Sequence, residues 1–272
     1  MSALEHWKKR VESHHAQSIG ARDSCAAIED FWRPYASHFR ADPRRTGDPE
    51  VDCLARQFRS EQTLIDVGGG AGRLALPLAL RCRRVTVVEP SESMRSELRE
   101  GMAEAGIDNL TTVDSTWEEA ETDPADVVLC AHVMYGVVDV VPFVRKLEAH
   151  AREQVLMLMF MASPQSGLSP FWRVVHGEER VELPALPELL AVLWEMEVYP
   201  NVEMMEAGGT QVFESRDAAV EQLRRRLYVN ADTEQDRRLK AAARELLVEE
   251  PDGVSIRGAP PRRLGLVSWR PG

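Results

Sequence analysis

The fold of this chain is decided at one stretch, Leu64-Ile65-Asp66-Val67-Gly68-Gly69-Gly70-Ala71-Gly72-Arg73. Apolar residues typical of a buried strand lead into a glycine-rich turn, and a helical pattern follows. Glycine tolerates positive φ and lets a ligand approach the backbone closely, while a helix N-terminus offers unpaired N–H groups. The stretch therefore indicates a ligand-binding turn, although a glycine-rich turn by itself is also compatible with a plain tight turn.

Beyond this stretch, short apolar segments alternate with helical ones, which is typical of a parallel sheet with crossover helices. We predict strands at Thr63–Val67, Arg84–Val88, Leu110–Val113, Asp126–Cys130 and Gln154–Met161. We predict the intervening helices at Arg73–Arg81, Ser91–Ala105 and Asp139–Ala151. Pro77 lies inside the first helix and is expected to disturb its regularity.

The regions on either side of this α/β segment have a different residue pattern. Residues 1–60 look helical, with no alternating apolar pattern. After Ala162 we predict a short amphipathic helix within 164–177, helices at Pro187–Met196, Arg216–Leu227 and Glu234–Val248, and strands at Val198–Glu206 and Leu264–Trp269. The predicted organisation is a helical cap at 1–60, an α/β core at 61–206, a helical insertion at 207–260 and a final core strand at 261–272.

The spacing of the glycines narrows the choice of ligand. A dinucleotide-binding turn needs G-x-G-x-x-G, and here position 73 is Arg. A phosphate-binding Walker loop needs Gly-Lys-Ser/Thr at its end, which is absent. The form Asp-x-Gly-x-Gly-x-Gly instead resembles the first motif of class I S-adenosylmethionine-dependent methyltransferases. The resemblance implies that the loop wraps the methionine part of the cofactor, with Asp66 near the cofactor's amino group.

Two further acids fall where this resemblance requires them. Glu89 ends the second predicted strand, and a carboxylate there can accept both ribose hydroxyls. Asp114 follows the third strand and would take the adenine amino group. Each acid taken alone is explained more simply as a helix-capping or turn residue. Three acids at successive strand ends together strongly indicate a cofactor site. The implied cofactor-binding set is Asp66, Gly68, Gly70, Gly72, Glu89, Pro90, Met94, Asp114, Ser115, Trp117, Ala131 and His132.

The resemblance covers residues 60–162 well and the terminal strands loosely. It implies a Rossmann-like sheet of seven strands, mostly parallel, with one antiparallel strand near the end. It also implies S-adenosylmethionine as cofactor and S-adenosylhomocysteine as product. The first sixty residues and the 207–260 insertion carry no nameable motif, and the insertion is a candidate lid, dimer contact or both.

A small molecule is the expected methyl acceptor. The formal net charge is −11, and acidic residues surround most of the short Arg runs, which disfavours nucleic acid. The sequence at the end of the fourth strand, Leu129-Cys130-Ala131-His132-Val133-Met134-Tyr135, lacks the Asp/Asn-Pro-Pro-Tyr sequence of DNA amino-methylating enzymes. It also lacks the Pro-Cys nucleophile of cytosine-carbon methylation, so Cys130 is interpreted as a packing residue.

His132 is the candidate catalytic residue. It is expected to contact the cofactor or to act as general base, and a structural histidine bonded to a carbonyl is an equally weighted alternative. Alignment of acceptor, methyl and sulfur would also carry much of the rate without any base. Candidate substrate-pocket residues, each with core packing as the simpler alternative, are Trp32, Tyr35, Tyr135, Phe171, Trp172 and His176.

Several expectations concern location and partners. The four scattered cysteines favour reduced thiols over disulfides or a zinc site, and no His/Asp/Glu spacing compels a metal. The first residues lack an apolar signal core, and the longest apolar run is too short to cross a bilayer. We therefore expect a cytoplasmic protein without a membrane partner, with a homodimer left open.

Two other functions compete with this interpretation. The first is a non-catalytic regulatory protein that binds S-adenosylmethionine or S-adenosylhomocysteine, because cofactor motifs indicate binding better than turnover. The second is a nicotinamide-dependent oxidoreductase, which the glycine spacing and Asp114 oppose.

Overall fold

A computed structural model describes residues 1–22, 30–205 and 212–272. Its main feature is a seven-stranded sheet with the order β3-β2-β1-β4-β5-β10-β6. The strands are β1 (Thr63–Val67), β2 (Arg84–Val88), β3 (Leu110–Val113), β4 (Ala125–Ala131), β5 (Ala151–Phe160), β6 (Asn201–Met204) and β10 (Leu264–Trp269). The predicted Rossmann-like α/β fold is confirmed.

The centre of the sheet is parallel. β1 pairs with β2 on one side and with β4 on the other, β2 pairs with β3, and β4 pairs with β5, all in parallel. Residues 64–67 of β1 and 127–130 of β4 are all buried, as expected for strands covered on both faces. Because all these strands point the same way, the residues that follow β1, β2, β3 and β4 meet at one edge.

Crossover helices link these strands. They are α3 (Ala75–Ala79), α4 (Glu92–Ala105) and α5 (Val140–His150). The hydroxyl of Ser91 caps α4 by accepting the N–H of Met94, and Gly106 ends it in a left-handed conformation. The helix α3 is shorter than the predicted Arg73–Arg81, in keeping with the disturbance expected from Pro77.

The N-terminal region is helical, as predicted. It contains α1 (Ala3–Arg22), a 3-10 turn at Ala36–Phe39 and α2 (Pro49–Ala55). Asp48 caps α2 by accepting the N–H groups of Glu50 and Val51. The Asp48 cap fixes the residue at which α2 begins.

The remaining elements are α6 (Ser169–His176), α7 (Leu186–Glu195), α8 (Arg216–Arg226), α9 (Glu234–Leu246), β7 (Val212–Phe213), β8 (Leu247–Glu250) and β9 (Gly253–Ile256). The last three strands form a small antiparallel sheet. The predicted 207–260 helical insertion therefore contains its two predicted helices and, in addition, a small sheet that was not predicted. β8 begins at Leu247, which sequence reasoning placed inside a helix, and β7 has only two residues.

The chain forms two compact units. The sheet unit comprises the described residues within 28–159, 198–203 and 266–272, and the second unit those within 1–27, 160–197 and 204–265. This division differs from the predicted one, because α1, α6 and α7 group with the 207–260 region. The second unit has its own core, which includes Phe171, Trp172 and Leu239. No helix in the described ranges is long and apolar enough to cross a membrane.

Candidate cofactor site

The glycine loop joins β1 to α3 at the carboxyl edge of the sheet unit. Gly68 has φ +67°, and a Cβ built there would lie 2.5 Å from Cγ2 of Val133. Gly70 has φ +56°, yet its nearest such neighbour is the Met94 sulfur at 3.8 Å. The loop is therefore packed tightly against the segment after β4 at Gly68 and has an accessible face at Gly70, where a ligand can approach the backbone.

Asp66 lies on β1 directly below this loop and is only 2% exposed. Burial, reinforced by the negative charge of Glu89, raises the pKa of Asp66 from its ordinary 3.8 to about 7. A positively charged ligand group beside this carboxyl group would favour its ionised form. Asp66 is thus suited to hold an ammonium group.

Glu89 follows β2 and accepts two backbone hydrogen bonds. One carboxylate oxygen accepts the N–H of Gly70 at 3.0 Å, and the other accepts the N–H of Ser91 at 2.9 Å. Burial raises the pKa of Glu89 in spite of these bonds. The carboxylate therefore connects the glycine loop to the start of α4.

Asp114 follows β3, and its side chain is 71% exposed. It is paired with Arg95, whose guanidinium lies 2.6 Å away and also donates to the carbonyl of Glu89. Arg95 thereby ties the residues that follow β2 and β3 together. The three predicted acids thus lie at the carboxyl ends of three neighbouring strands, Asp66 within the last residues of β1 and the other two directly after β2 and β3.

The other predicted cofactor residues differ in how buried their side chains are. Met94 is buried with Ala71 of the loop and Ala36 of the 3-10 turn. Trp117 is 3% exposed, and its indole N–H donates to the carbonyl of Phe143, so its side chain belongs to the core. Three further positions, which the structure leaves at least partly accessible, are Pro90, Ser115 and Ala131.

His132 directly follows β4 and has an unusual backbone conformation. Its φ is +62°, a left-handed conformation that non-glycine residues rarely adopt, and its N–H donates to the carbonyl of Leu158 at 2.9 Å. Its Nε2 lies 3.4 Å from a carboxylate oxygen of Glu50 on α2. Strained backbone of this kind concentrates at functional sites, which supports the choice of His132.

Sequence reasoning missed Glu50 and Asp30. Glu50 contacts both His132 and Arg73. Asp30 accepts hydrogen bonds from the hydroxyls of Ser91 and Ser93 beside Glu89. The only local signal for Glu50 is its place after Asp48-Pro49 at a helix start, and nothing local marks Asp30.

The six candidate pocket aromatics divide between the two units. Trp32, Tyr35 and Tyr135 lie in the sheet unit, and Trp32 is 40% exposed. Trp32 contacts the rings of Phe31 and Phe39. Tyr35 and Tyr135 are only 8% and 6% exposed. The pocket role of these three aromatics stays a prediction, and Trp32 is the one of them with an exposed surface.

Phe171, Trp172 and His176 lie on α6 in the second unit. Phe171 and Trp172 are 0% and 2% exposed and belong to that unit's core. The ring of His176 is bonded to the carbonyl of Leu227 at 2.8 Å and lies 4.1 Å from the ring of Trp172. The predicted pocket role of this trio finds no support, because core packing explains Phe171 and Trp172 and a carbonyl bond explains His176.

The described part of the chain contains buried thiols and no metal-binding cluster. Within residues 1–22, 30–205 and 212–272, no group of three or more His, Cys, Asp or Glu side chains is placed to hold a metal ion. Cys53, Cys82 and Cys130 are buried free thiols, and Cys25 lies outside the described residues. Burial raises the pKa of the Cys130 thiol, which fits a packing residue.

Comparison with known proteins identifies the family. A family model described as a methyltransferase domain matches residues 64–154, which contain the glycine loop, Glu89, Asp114 and His132. The chain belongs to the class I S-adenosylmethionine-dependent methyltransferases. A ubiquinone biosynthesis O-methyltransferase of Methylocella silvestris is 31% identical over 173 residues. That match covers 56% of this chain and 66% of the relative's length.

Two solved structures share the fold. A methyltransferase from Geobacter sulfurreducens in complex with S-adenosylhomocysteine is 16% identical, with a TM-score of 0.53, covering 91% of this chain and all of that one. The YcgJ protein of Bacillus subtilis is 17% identical, with a TM-score of 0.57, covering 82% of this chain and 98% of that one. The parts of this chain that match these two structures extend beyond residues 64–154, the range of the family model.

Proposed function

We propose that this protein transfers a methyl group from S-adenosylmethionine to a small molecule by in-line displacement. One observation carries the proposal: Asp66 near the end of β1, and Glu89 and Asp114 directly after β2 and β3, lie at the same end of three neighbouring parallel strands, and Glu89 is bonded to the glycine loop itself. When bound, S-adenosylmethionine supplies a sulfonium-activated methyl group, so no metal is needed to activate the donor.

The residues present suit this cofactor. Asp66 is a buried carboxyl group that a cofactor ammonium would stabilise in its ionised form. The Glu89 carboxylate is suited to the two ribose hydroxyls, and Asp114 to the adenine amino group. Gly70 leaves room for a ligand against the loop backbone. Together these groups would hold and orient the cofactor at the end of β4, where His132 lies.

A small acceptor is the finer part of the proposal. The Methylocella silvestris relative is named for O-methylation in ubiquinone biosynthesis, which is small-molecule chemistry. The net charge of −11 and the missing nucleic-acid methylation motifs favour the same class. Exposed Trp32 offers an apolar surface for an aromatic or uncharged acceptor.

Methyl transfer tests the proposal directly. The purified protein is incubated with methyl-labelled S-adenosylmethionine and a panel of phenols, carboxylic acids and amines, and labelled products are counted. We expect label in at least one small product and stoichiometric S-adenosylhomocysteine. Tight S-adenosylhomocysteine binding with no labelled product across the panel would favour the non-catalytic binding protein instead.

A further inference from the structure

We propose that Arg95 is a positioning residue for adenine recognition, which holds the Asp114 carboxylate where it can accept a hydrogen bond from the cofactor's adenine amino group. This inference rests on the proposed function and deepens it, because it names a residue that sets specificity for the base of the cofactor. Arg95 carries no motif in the sequence and is identified by its contacts in the structure.

The residues that follow β2 and β3 are brought together by the backbone of the sheet. Val88 and Val113 are paired in the parallel register of these two strands, and the N–H of Glu89 donates to the carbonyl of Val113 at 3.1 Å. Glu89 and Asp114 are the next residues along the two strands. The residues suited to the ribose and to the adenine therefore start from fixed, neighbouring backbone positions.

This backbone pairing leaves the direction of the Asp114 side chain open. The side chain is 71% exposed, and an exposed aspartate can adopt several staggered rotamers. A carboxylate that samples several directions recognises a purine edge poorly, because its ordering opposes binding. Selective recognition at this position therefore requires a second group that fixes the side chain.

Arg95, near the start of α4, supplies this group. Its side chain is only 5% exposed, and one guanidinium nitrogen, Nη1, lies 2.6 Å from Oδ1 of Asp114 and 2.6 Å from the carbonyl oxygen of Glu89. The other terminal nitrogen, Nη2, donates to the carboxylate of Glu92 at 2.7 Å. Because the guanidinium is planar and is held by these three groups, it fixes the position of the Asp114 carboxylate.

The ion pair leaves an oxygen of Asp114 for the ligand. It engages Oδ1, and because the side chain is largely exposed, Oδ2 can accept an N–H group from outside the protein. An adenine amino group is such a donor, whereas a carbonyl oxygen at the same place would bring two acceptors together. Stability explains the contact less well, since a pair with so exposed a carboxylate contributes little and burial of a guanidinium is unfavourable.

The test measures how well the protein distinguishes S-adenosylhomocysteine from S-inosylhomocysteine, which carries a carbonyl oxygen where adenine carries its amino group. Calorimetric titration of the full chain gives the Kd of each ligand. We expect the wild-type protein to bind S-adenosylhomocysteine about tenfold or more tightly, because the hydrogen bond to Asp114 is lost with the inosine ligand. Asp114→Asn should remove most of this preference, since an amide can also donate to the carbonyl oxygen.

Arg95→Met is compared with Arg99→Met on the same helix. Arg99 also pairs with Glu92, at 2.5 Å, from a side chain that is 49% exposed. Arg95→Met should lower the preference for S-adenosylhomocysteine about threefold or more, whereas Arg99→Met should leave it at the wild-type value. In the Asp114→Asn background, Arg95→Met should cause no further loss of preference, because Arg95 acts through Asp114.

Arg95→Lys keeps the positive charge but has a single terminal nitrogen, so it should give a preference between those of the wild type and Arg95→Met. This variant also serves as the second measurement if Arg95→Met does not fold. An unchanged preference in a folded variant at position 95, including one that binds both ligands equally more weakly, would overturn the proposal.

A further loss of preference from Arg95→Met in the Asp114→Asn background, or equal binding of both ligands by the wild type, would also overturn it. If the wild-type protein binds neither ligand, the proposed function fails as well. If it prefers S-adenosylhomocysteine as described but methylates no acceptor, only methyl transfer is refuted and the role of Arg95 stands.

Discussion

The raised pKa of Asp66 leads to a quantitative prediction about stability. A shift from 3.8 to about 7 corresponds to roughly 4 kcal/mol between the protonated and ionised forms, at about 1.36 kcal/mol per pKa unit. Because the folded pKa lies above the unfolded one, the protonated carboxyl group contributes stability below pH 3.8. That contribution is lost as the pH rises through about 7.

Asp66→Asn removes this titration while keeping the shape of the side chain. The free energy of unfolding of the variant, relative to the wild type, should therefore rise by about 4 kcal/mol between pH 4 and pH 8. Urea unfolding without cofactor, at several pH values, measures this difference. Glu119→Gln, at an exposed position of the sheet unit, is the control for loss of a surface carboxylate.

The same variant should lose function as it gains stability. Without the anionic partner for the cofactor's ammonium group, Asp66→Asn should bind S-adenosylhomocysteine more weakly at pH 8. A constant difference in unfolding free energy across this pH range would refute the assignment of a buried, protonated Asp66.

The remaining predictions concern packing and the acceptor. Gly72→Ala should cost about 2–5 kcal/mol of stability, because the φ of Gly72 is +81° and the added Cβ would collide with Leu98. Gly106→Ala should cost only about 1–2 kcal/mol, because Gly106 has φ +66° but open space around the added Cβ. Equal losses of unfolding free energy in urea would contradict this difference. Trp172→Ala should cost about 3–5 kcal/mol in the same assay without changing acceptor preference. Trp32→Ala should raise KM for aromatic acceptors at unchanged S-adenosylhomocysteine affinity, and unchanged kinetics would remove Trp32 from the pocket.

Much of the sheet could be predicted from local sequence. The strands β1, β2, β3 and β10 begin and end at the predicted residues, because compact apolar runs are bounded there by turn-forming residues. The small sheet of the second unit could not be predicted from local sequence. Its strand β7 is too short to show an alternating pattern, and β8 contains the polar pair Glu249-Glu250. Its pairing depends on contacts with β9 that no single segment reveals.

The site was predictable where an acidic residue lies at the carboxyl end of a strand. Asp66, Glu89 and Asp114 lie in a fixed relation to β1, β2 and β3, so the parallel topology places them together. Glu50 contacts His132 from 82 residues away in the chain. Only the tertiary structure reveals such a contact, since α2 carries no motif that distinguishes Glu50 from any other first-turn acid.

Calorimetric titration with S-adenosylhomocysteine tests the central claim most directly. The folded wild-type protein and Glu119→Gln should bind one equivalent with equal affinity. Glu89→Gln should bind about tenfold or more weakly, because a charged acceptor of the ribose hydroxyls is lost. Absence of binding to the folded wild-type protein, or full affinity in Glu89→Gln, would contradict the cofactor site described above.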